Sequence, residues 1–124
     1  HHAFPVPPNP ADVLTGEVVA SRVVPYELPS NGASAQMVLI DWKNTSNRAI
    51  AAAWAEITPF DENGKKLEGG SSEQCVFSYE DNDMKKIEPG ETYVEPKGLG
   101  FILFPMIYGE AKRVEVRMVR FEAD

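Results

Sequence analysis

The sequence is poor in the residues that most often carry redox chemistry, nucleophilic catalysis and soft-metal binding. Its 124 residues include one cysteine, Cys75, and two histidines, His1 and His2. A single cysteine excludes an intrachain disulfide, and a Cys/His nucleophile would need a histidine near Cys75. Paired histidines at a chain start are typical of an affinity-tag remnant, and a copper site there would need a further histidine, which the sequence lacks. Cys75 lies among apolar residues and is predicted to be buried.

Long apolar runs and an excess of positive charge are also missing. No stretch of 18 apolar residues occurs, so we expect no membrane insertion by this segment. Twelve Lys and Arg against 19 Asp and Glu give a net charge of −7. Because an acidic surface repels phosphate backbones, nucleic acid is not an expected partner. Glycine-rich phosphate loops are absent, and no cofactor is expected.

Length and composition fit one folded domain preceded by an extended arm. A chain of 124 residues, 43% hydrophobic and 25% charged, is typical of a single globular domain. Four of the ten prolines fall within residues 5 to 10, and proline fixes φ and removes amide donors. Residues 1–12 are therefore predicted to form a proline-rich arm or linker, and residues 13–124 the domain.

Short β-branched segments separated by turn residues predict an all-β fold. Three of them are EVVASRVVPYEL, AQMVLIDWKN and AIAAAWAEITPF. Alanine favours helix, but the period-2 pattern of Ala53, Ala55 and Ile57 favours a strand for the third segment. About seven such strands, with no convincing helix, predict an antiparallel β-sandwich.

The last segment, RVEVRMVRFEAD, shows an alternation that slips. Val114, Val116 and Met118 would share one face, whereas Val119 and Phe121 would fall on the other. A β-bulge near Met118 would return both to the core.

Four motifs occur in an order that suggests a family: WKNTSNRAI, ITPFDENGKKL, IEPGETY and RVEVRMVRFEAD. In this order they resemble the immunoglobulin-like β-sandwich domains of bacterial secreted proteins and lipoproteins, including the FxLYD type. Phe60 and Asp61 match the family pattern, while Ile57 and Pro59 depart from it; Pro59 within a strand also implies an edge or a bulge. The resemblance implies an antiparallel immunoglobulin-like sandwich of about seven strands, an extracytoplasmic location and no catalytic residues.

Two acidic stretches could hold a metal ion. DENG begins at Asp61, but an EF-hand loop needs further oxygen ligands and a Glu at its twelfth position, which here is Ser72. DENG is therefore predicted to be a hairpin turn in which Gly64 has a positive φ. The second stretch, YEDND, is the better metal candidate, although acidic loops are usually only solvated. Its candidate calcium ligands are Glu80, Asp81, Asn82 and Asp83.

The outward face of the third segment is the candidate binding surface. If Ala53 and Ala55 point inward, the opposite face carries Trp54, Glu56 and Phe60. An outward tryptophan can anchor a protein partner or stack on a sugar. A register shifted by one residue would instead bury Trp54 and expose the alanines.

The uncharged run FILFPMIY is predicted to form a core strand pair, and the alternative is an exposed surface for a partner or a second copy. No pair among the 19 acidic residues is singled out for catalysis. We therefore expect a non-enzymatic, extracytoplasmic interaction or spacer module that binds protein or self-associates. The alternative is small-ligand binding, either carbohydrate at Trp54 or calcium at the loop from Glu80 to Asp83.

Overall fold

A computed structural model of the chain describes residues 13–81 and 84–123. Within them the strands are β1 (Gly16–Glu27), β2 (Ser34–Asn44), β3 (Ala52–Phe60), β4 (Ser71–Ser78), β5 (Thr92–Tyr93), β6 (Phe101–Leu103) and β7 (Arg113–Glu122), with a one-turn helix α1 (Pro105–Tyr108) between the last two. The predicted arm, residues 1–12, lies outside the described residues. In the part of the chain described, no helix has the length and apolarity needed to cross a membrane.

Two antiparallel sheets form the fold, and the predicted all-β sandwich is confirmed. In the first sheet β2 is central, with β1 on one edge and the short strands β5 and β6 following each other along the other edge. In the second sheet β3 is central, between β4 and β7. Between β5 and β6, residues 39–41 of β2 therefore face no strand on that edge, which leaves a gap in the first sheet.

The core lies between the two central strands. Val38, Ile40 and Trp42 of β2 are buried, and so are Ala53 and Ala55 of β3. Of the two registers that the sequence left open for β3, the structure has the one in which Ala53 and Ala55 point inward. Trp42 is the largest buried side chain, and its ring contacts Phe77, Phe121 and Tyr93 at centroid distances of 5.7, 5.8 and 6.2 Å. Tilted and edge-on aromatic pairs at these distances stabilise a core beyond their burial alone.

The other face of β2 is also buried, which is unusual for an antiparallel sheet. Met37 and Leu39 are both buried there. The chain approaches β2 closely at Gly100, where an added Cβ would overlap the carbonyl oxygen of Val38. Only glycine allows this close approach of one backbone to another.

The predicted bulge in the last strand is confirmed. Trp54 pairs with Arg120 and Ala55 with Met118, so Val119 is the extra residue on β7. Phe121 thereby packs against the core as expected, but Val119 is only partly buried and stays outside the core cluster. The expectation that both residues return to the core is therefore wrong for Val119. It is the extra residue of the bulge, which has no partner on the neighbouring strand.

Two of the sequence motifs meet at one buried side chain, Asn44. Its amide nitrogen donates to the carbonyl oxygens of Arg48 (2.8 Å) and Ile87 (2.9 Å), and its Oδ1 accepts from the backbone N–H and the hydroxyl of Ser46. Its backbone N–H and C=O bond to Glu91 and Gly90. Asn44 therefore holds the NTSNR turn against the Pro-Gly turn that precedes β5.

The DENG segment forms a turn, as predicted. Gly64 has a φ of 79°, and Asp61 Oδ1 accepts hydrogen bonds from the backbone N–H groups of Asn63 and Lys65, both at 2.9 Å. The Asp61 carboxylate thus organises its own loop.

The two halves of FILFPMIY differ in secondary structure and in burial. Phe101–Leu103 is strand β6, and Leu103 is buried. Pro105 then begins α1, and the apolar side chains that follow it are exposed. The prediction of a core strand pair is therefore wrong for the second half. Pro105 has no N–H to continue a strand ladder, and its fixed φ suits the first position of a helix.

Candidate interaction surfaces

The outward face of β3 carries the side chains predicted to bind a partner, and β7 covers each of them with an arginine. Trp54, Glu56 and Phe60 pair across the sheet with Arg120, Arg117 and Arg113, respectively. The Arg120 guanidinium lies 3.7 Å from the Trp54 ring centroid, and that of Arg113 lies 4.1 Å from the Phe60 ring centroid. Arg117 Nε lies 3.4 Å from Glu56 Oε1.

The bulge at Val119 explains why Trp54 is covered. With regular alternation Val119 would pair with Trp54, but the extra residue puts Arg120 there instead. Arg120 also bonds Glu73 at 2.7 Å and Glu122 at 2.6 Å. Trp54 is consequently half-buried, and a sugar stacking on its outer face would have to displace a guanidinium held by two carboxylates.

The acidic loop does not assemble a metal site in the part of the chain described. Glu80 and Asp81 are exposed, while Asn82 and Asp83 lie outside the described residues. Among residues 13–81 and 84–123, no group of three or more His, Cys, Asp or Glu side chains is arranged to hold a metal ion.

Cys75 is exposed, so the prediction that it is buried is wrong. It pairs with Trp54 across β3 and β4, and so lies on the outward face of the second sheet. Partial desolvation raises the pKa of its thiol, and its Sγ donates to the carbonyl oxygen of Phe77 at 3.5 Å. A raised pKa disfavours the thiolate, which is the form in which a cysteine acts as a nucleophile.

Four large apolar side chains in and next to the helix α1 are exposed. Met106 is 88% exposed and Ile107 70%, with Phe104 and Tyr108 beside them at 41% and 42%. We name these four residues the apolar tip. Scattered exposed hydrophobic residues are normal, but contiguous ones mark interaction sites more often.

The base of the apolar tip is fixed to the sandwich. Gln36 of β2 donates its amide to the carbonyl oxygen of Ala111 at 2.8 Å and accepts from the Ala111 N–H at 2.9 Å. On the other side the Tyr108 ring lies against Gly69, where an added Cβ would come within 2.6 Å of it. The turn is thus attached to the sandwich through Tyr108 on one side and, beyond its C-terminal end, through Ala111 on the other.

A second feature is a buried carboxylate at the gap in the first sheet. Exposure alternates after β5, so that Val94 is exposed and Glu95 is 4% exposed. Glu95 Oε1 accepts from the Ile40 N–H at 3.2 Å, and the Glu95 N–H donates to Asp41 Oδ1 at 2.9 Å. The carboxylate thus serves the β2 amide that no strand reaches on that edge.

The environment of Glu95 favours its neutral form. Desolvation by burial, together with the nearby Asp41 carboxylate, raises its pKa from 4.5 to about 7, although the Ile40 N–H and Arg22 act in the opposite direction. The neighbouring Tyr93 has its pKa raised to about 12, mainly by burial. Sequence reasoning missed Glu95, although the alternation Tyr93–Val94–Glu95 already directs it to the same face as Tyr93.

Comparison with known proteins adds no relative. A scan against protein-family models finds no match, and searches of the curated proteins and of the solved structures find none either.

Proposed function

We propose that this domain is a non-enzymatic interaction module that binds another protein through the apolar tip. The observation that carries the proposal is the exposure of Met106 and Ile107, two large apolar side chains of a helix turn that is attached to the sandwich nearby. Exposing such residues to water is unfavourable by about 1.5–3 kcal/mol for each side chain. Burial by a partner removes this cost.

The size of the apolar tip suits a central contact rather than a whole interface. At roughly 200 Å² for each large side chain, the exposed fractions of its four residues amount to about 500 Å². A standard interface buries about 800 Å² on each partner. The tip would therefore fill an apolar pocket on the partner, and surrounding polar contacts would complete the interface.

The negative charge of the domain favours a different protein, and not a second copy of this chain, as the binding partner. The depression beside Gly109 is lined by Asp61, Glu62 and Glu110, with Lys112 as its basic residue. Two copies would also each bring a net charge of −7, and such charge opposes self-association. The partner expected from this chemistry has an apolar pocket with a basic rim.

The family resemblance agrees with a binding role. The consecutive strands β2 and β3 lie on opposite sheets, as strands B and C do in immunoglobulin-like sandwiches, and this one feature agrees with the resemblance. Fold alone does not establish function. The extracytoplasmic location that the resemblance implies stays a prediction.

The test uses matched aspartate variants. Affinity capture from envelope and secreted fractions of the source organism identifies the partner, and isothermal titration calorimetry then measures binding between the two purified proteins. Ile107→Asp is expected to weaken binding roughly 30-fold or more, as expected for a contact at the centre of an interface. Val19→Asp is the control, because Val19 is 57% exposed on β1 and outside the apolar tip.

Each outcome bears on the proposal. Wild-type affinity for Val19→Asp, with binding lost by Ile107→Asp at unchanged melting temperature, supports the apolar tip as the contact. Equal binding by both variants contradicts it. Analytical ultracentrifugation of the domain alone is expected to show a monomer. A dimer that dissociates on the Ile107→Asp substitution would instead identify a second copy of this chain as the partner.

A further inference from the structure

The buried Glu95 lines a cavity that the proposed interaction surface does not use. The cavity has a volume of about 110 Å³ and lies between β4 and the segment that follows β5. Its wall includes Phe77, Tyr93 and Met84, and Leu99 stands at its edge, 43% exposed. A cavity of this volume has room for several water molecules, so a small organic group fits.

The composition of the wall is unusual for a purely structural gap. Phe77 and Tyr93 form an edge-to-face pair with centroids 4.9 Å apart, and the Tyr93 hydroxyl donates to Met84 Sδ at 3.9 Å. Beside these apolar groups stands the carboxylate of Glu95, which is more than nine-tenths buried. A buried acid next to aromatic rings attracts a cation through both its charge and the ring faces.

The charges around the cavity add to this attraction. Asp81 lines it, and Asp41 lies within hydrogen-bond distance of the Glu95 backbone. Arg22, a cation whose charge acts on Glu95, is paired with Asp41 through Nη1 and Oδ2 at 3.2 Å. Asp41 and Asp81 therefore add negative charge near the cavity, and Glu95 adds its own when it is ionised.

We propose that this cavity is a binding site for a small primary alkylammonium group, which Glu95 receives at the inner end and the Phe77 and Tyr93 rings enclose. A hard metal ion needs several oxygen ligands, and the described residues supply no such group here. A guanidinium is favoured less, because it binds carboxylates with both oxygens and Glu95 Oε1 already accepts the Ile40 N–H. Either a free alkylamine or a lysine side chain of a protein carries this group.

Nuclear magnetic resonance titration tests the site, with the Ile40 amide as reporter because it donates to Glu95. The probes are n-propylammonium, Nα-acetyl-lysine amide and, as the neutral control, n-butanol. We expect saturable shifts of the Ile40 amide with the ammonium probes and none with n-butanol. The free amine and the lysine derivative separate the two sources: shifts by n-propylammonium alone indicate a free amine, and tighter binding of the lysine derivative indicates a protein side chain.

Binding should depend on Glu95 and on pH. Glu95→Gln keeps an acceptor for the Ile40 N–H but removes the charge, and it should abolish the saturable shift; Glu17→Gln, an exposed acid on β1, should bind as the wild type does. Because the pKa of Glu95 is about 7, affinity should be about tenfold higher at pH 8 than at pH 6. Shifts that do not saturate, that n-butanol reproduces, or that survive in folded Glu95→Gln would overturn the proposal.

Discussion

The buried carboxylate of Glu95 makes the stability of the domain depend on pH with a calculable sign. Its pKa is raised from 4.5 to about 7 on folding, mainly by burial. Between these two pH values the native state binds more protons than the unfolded state, so the free energy of unfolding falls as pH rises through this window. Below it both states are protonated, and above it the folded domain retains the full cost of the buried charge.

The size of the effect follows from the same numbers. Each pKa unit corresponds to about 1.4 kcal/mol, and a shift from 4.5 to about 7 therefore amounts to about 3 kcal/mol. Other acids contribute to the wild-type profile as well. The difference between wild type and Glu95→Gln isolates this one group, because the glutamine oxygen still accepts the Ile40 N–H without a charge.

Urea unfolding of both proteins at about pH 5 and about pH 8.5 measures the difference. At the lower pH the two free energies of unfolding should lie within about 1 kcal/mol of each other. At the higher pH Glu95→Gln should have gained about 2–3 kcal/mol relative to wild type. Glu17→Gln, at an exposed position on β1, should show no such gain. An equal difference at both pH values would refute the assignment of Glu95 as a buried titrating group.

Three further substitutions test the fold and the covered face of β3. Asn44→Ala should lower the free energy of unfolding by about 2–4 kcal/mol, because the Arg48 and Ile87 carbonyls lose their donors; a loss below about 0.5 kcal/mol in urea unfolding would contradict that role. Gly100→Ala should destabilise by more than about 2 kcal/mol, since its Cβ overlaps a backbone oxygen of β2, and a melting temperature equal to wild type would exclude this. Arg120→Ala should cost less than about 1 kcal/mol but increase acrylamide quenching of the half-buried Trp54, and unchanged quenching would show that the guanidinium does not cover the ring.

The β-fold was predictable because the apolar pattern follows the strand period. Ala53, Ala55 and Ile57 alternate with larger residues, so pattern outweighed the helix propensity of alanine, and all three are buried. The slip in β7 likewise indicated the bulge. The sequence did not show how the bulge changes the outward face of the second sheet. Only the pairing of β7 with β3 shows that Arg120, and not Val119, lies opposite Trp54.

The position of Pro59 explains how β3 accommodates a residue that has no backbone N–H. β3 is the central strand, but its ladder with β4 ends at the pair Ile57–Ser71, so Pro59 has a strand partner on the β7 side alone, which agrees with the expected edge position. Its carbonyl oxygen accepts from the Leu67 N–H in the β3–β4 connection. In an antiparallel strand the N–H and C=O of one residue point to the same side, so the missing donor faces this connection, and the ladder with β7 continues.

The candidate sites were less predictable than the strands. The run FILFPMIY has no charge to divide it, and the exposure of its second half becomes visible only in the folded chain. The alternation after Tyr93 directs Glu95 to the inner face, but its contact with the Ile40 N–H depends on the gap between β5 and β6. Both features arise from contacts between residues far apart in sequence, which a local pattern does not encode.

Hydrogen exchange of the domain with and without its purified partner tests the central claim most directly. The Ile107 and Tyr108 amides both donate to the Phe104 carbonyl oxygen at 3.0 Å, and the Gly109 amide donates to that of Pro105 at 2.9 Å, so they report on the apolar tip. The account predicts that the partner slows exchange at these amides and leaves β3 from Trp54 to Phe60 unchanged. Slower exchange along β3, with none at the apolar tip, would contradict it.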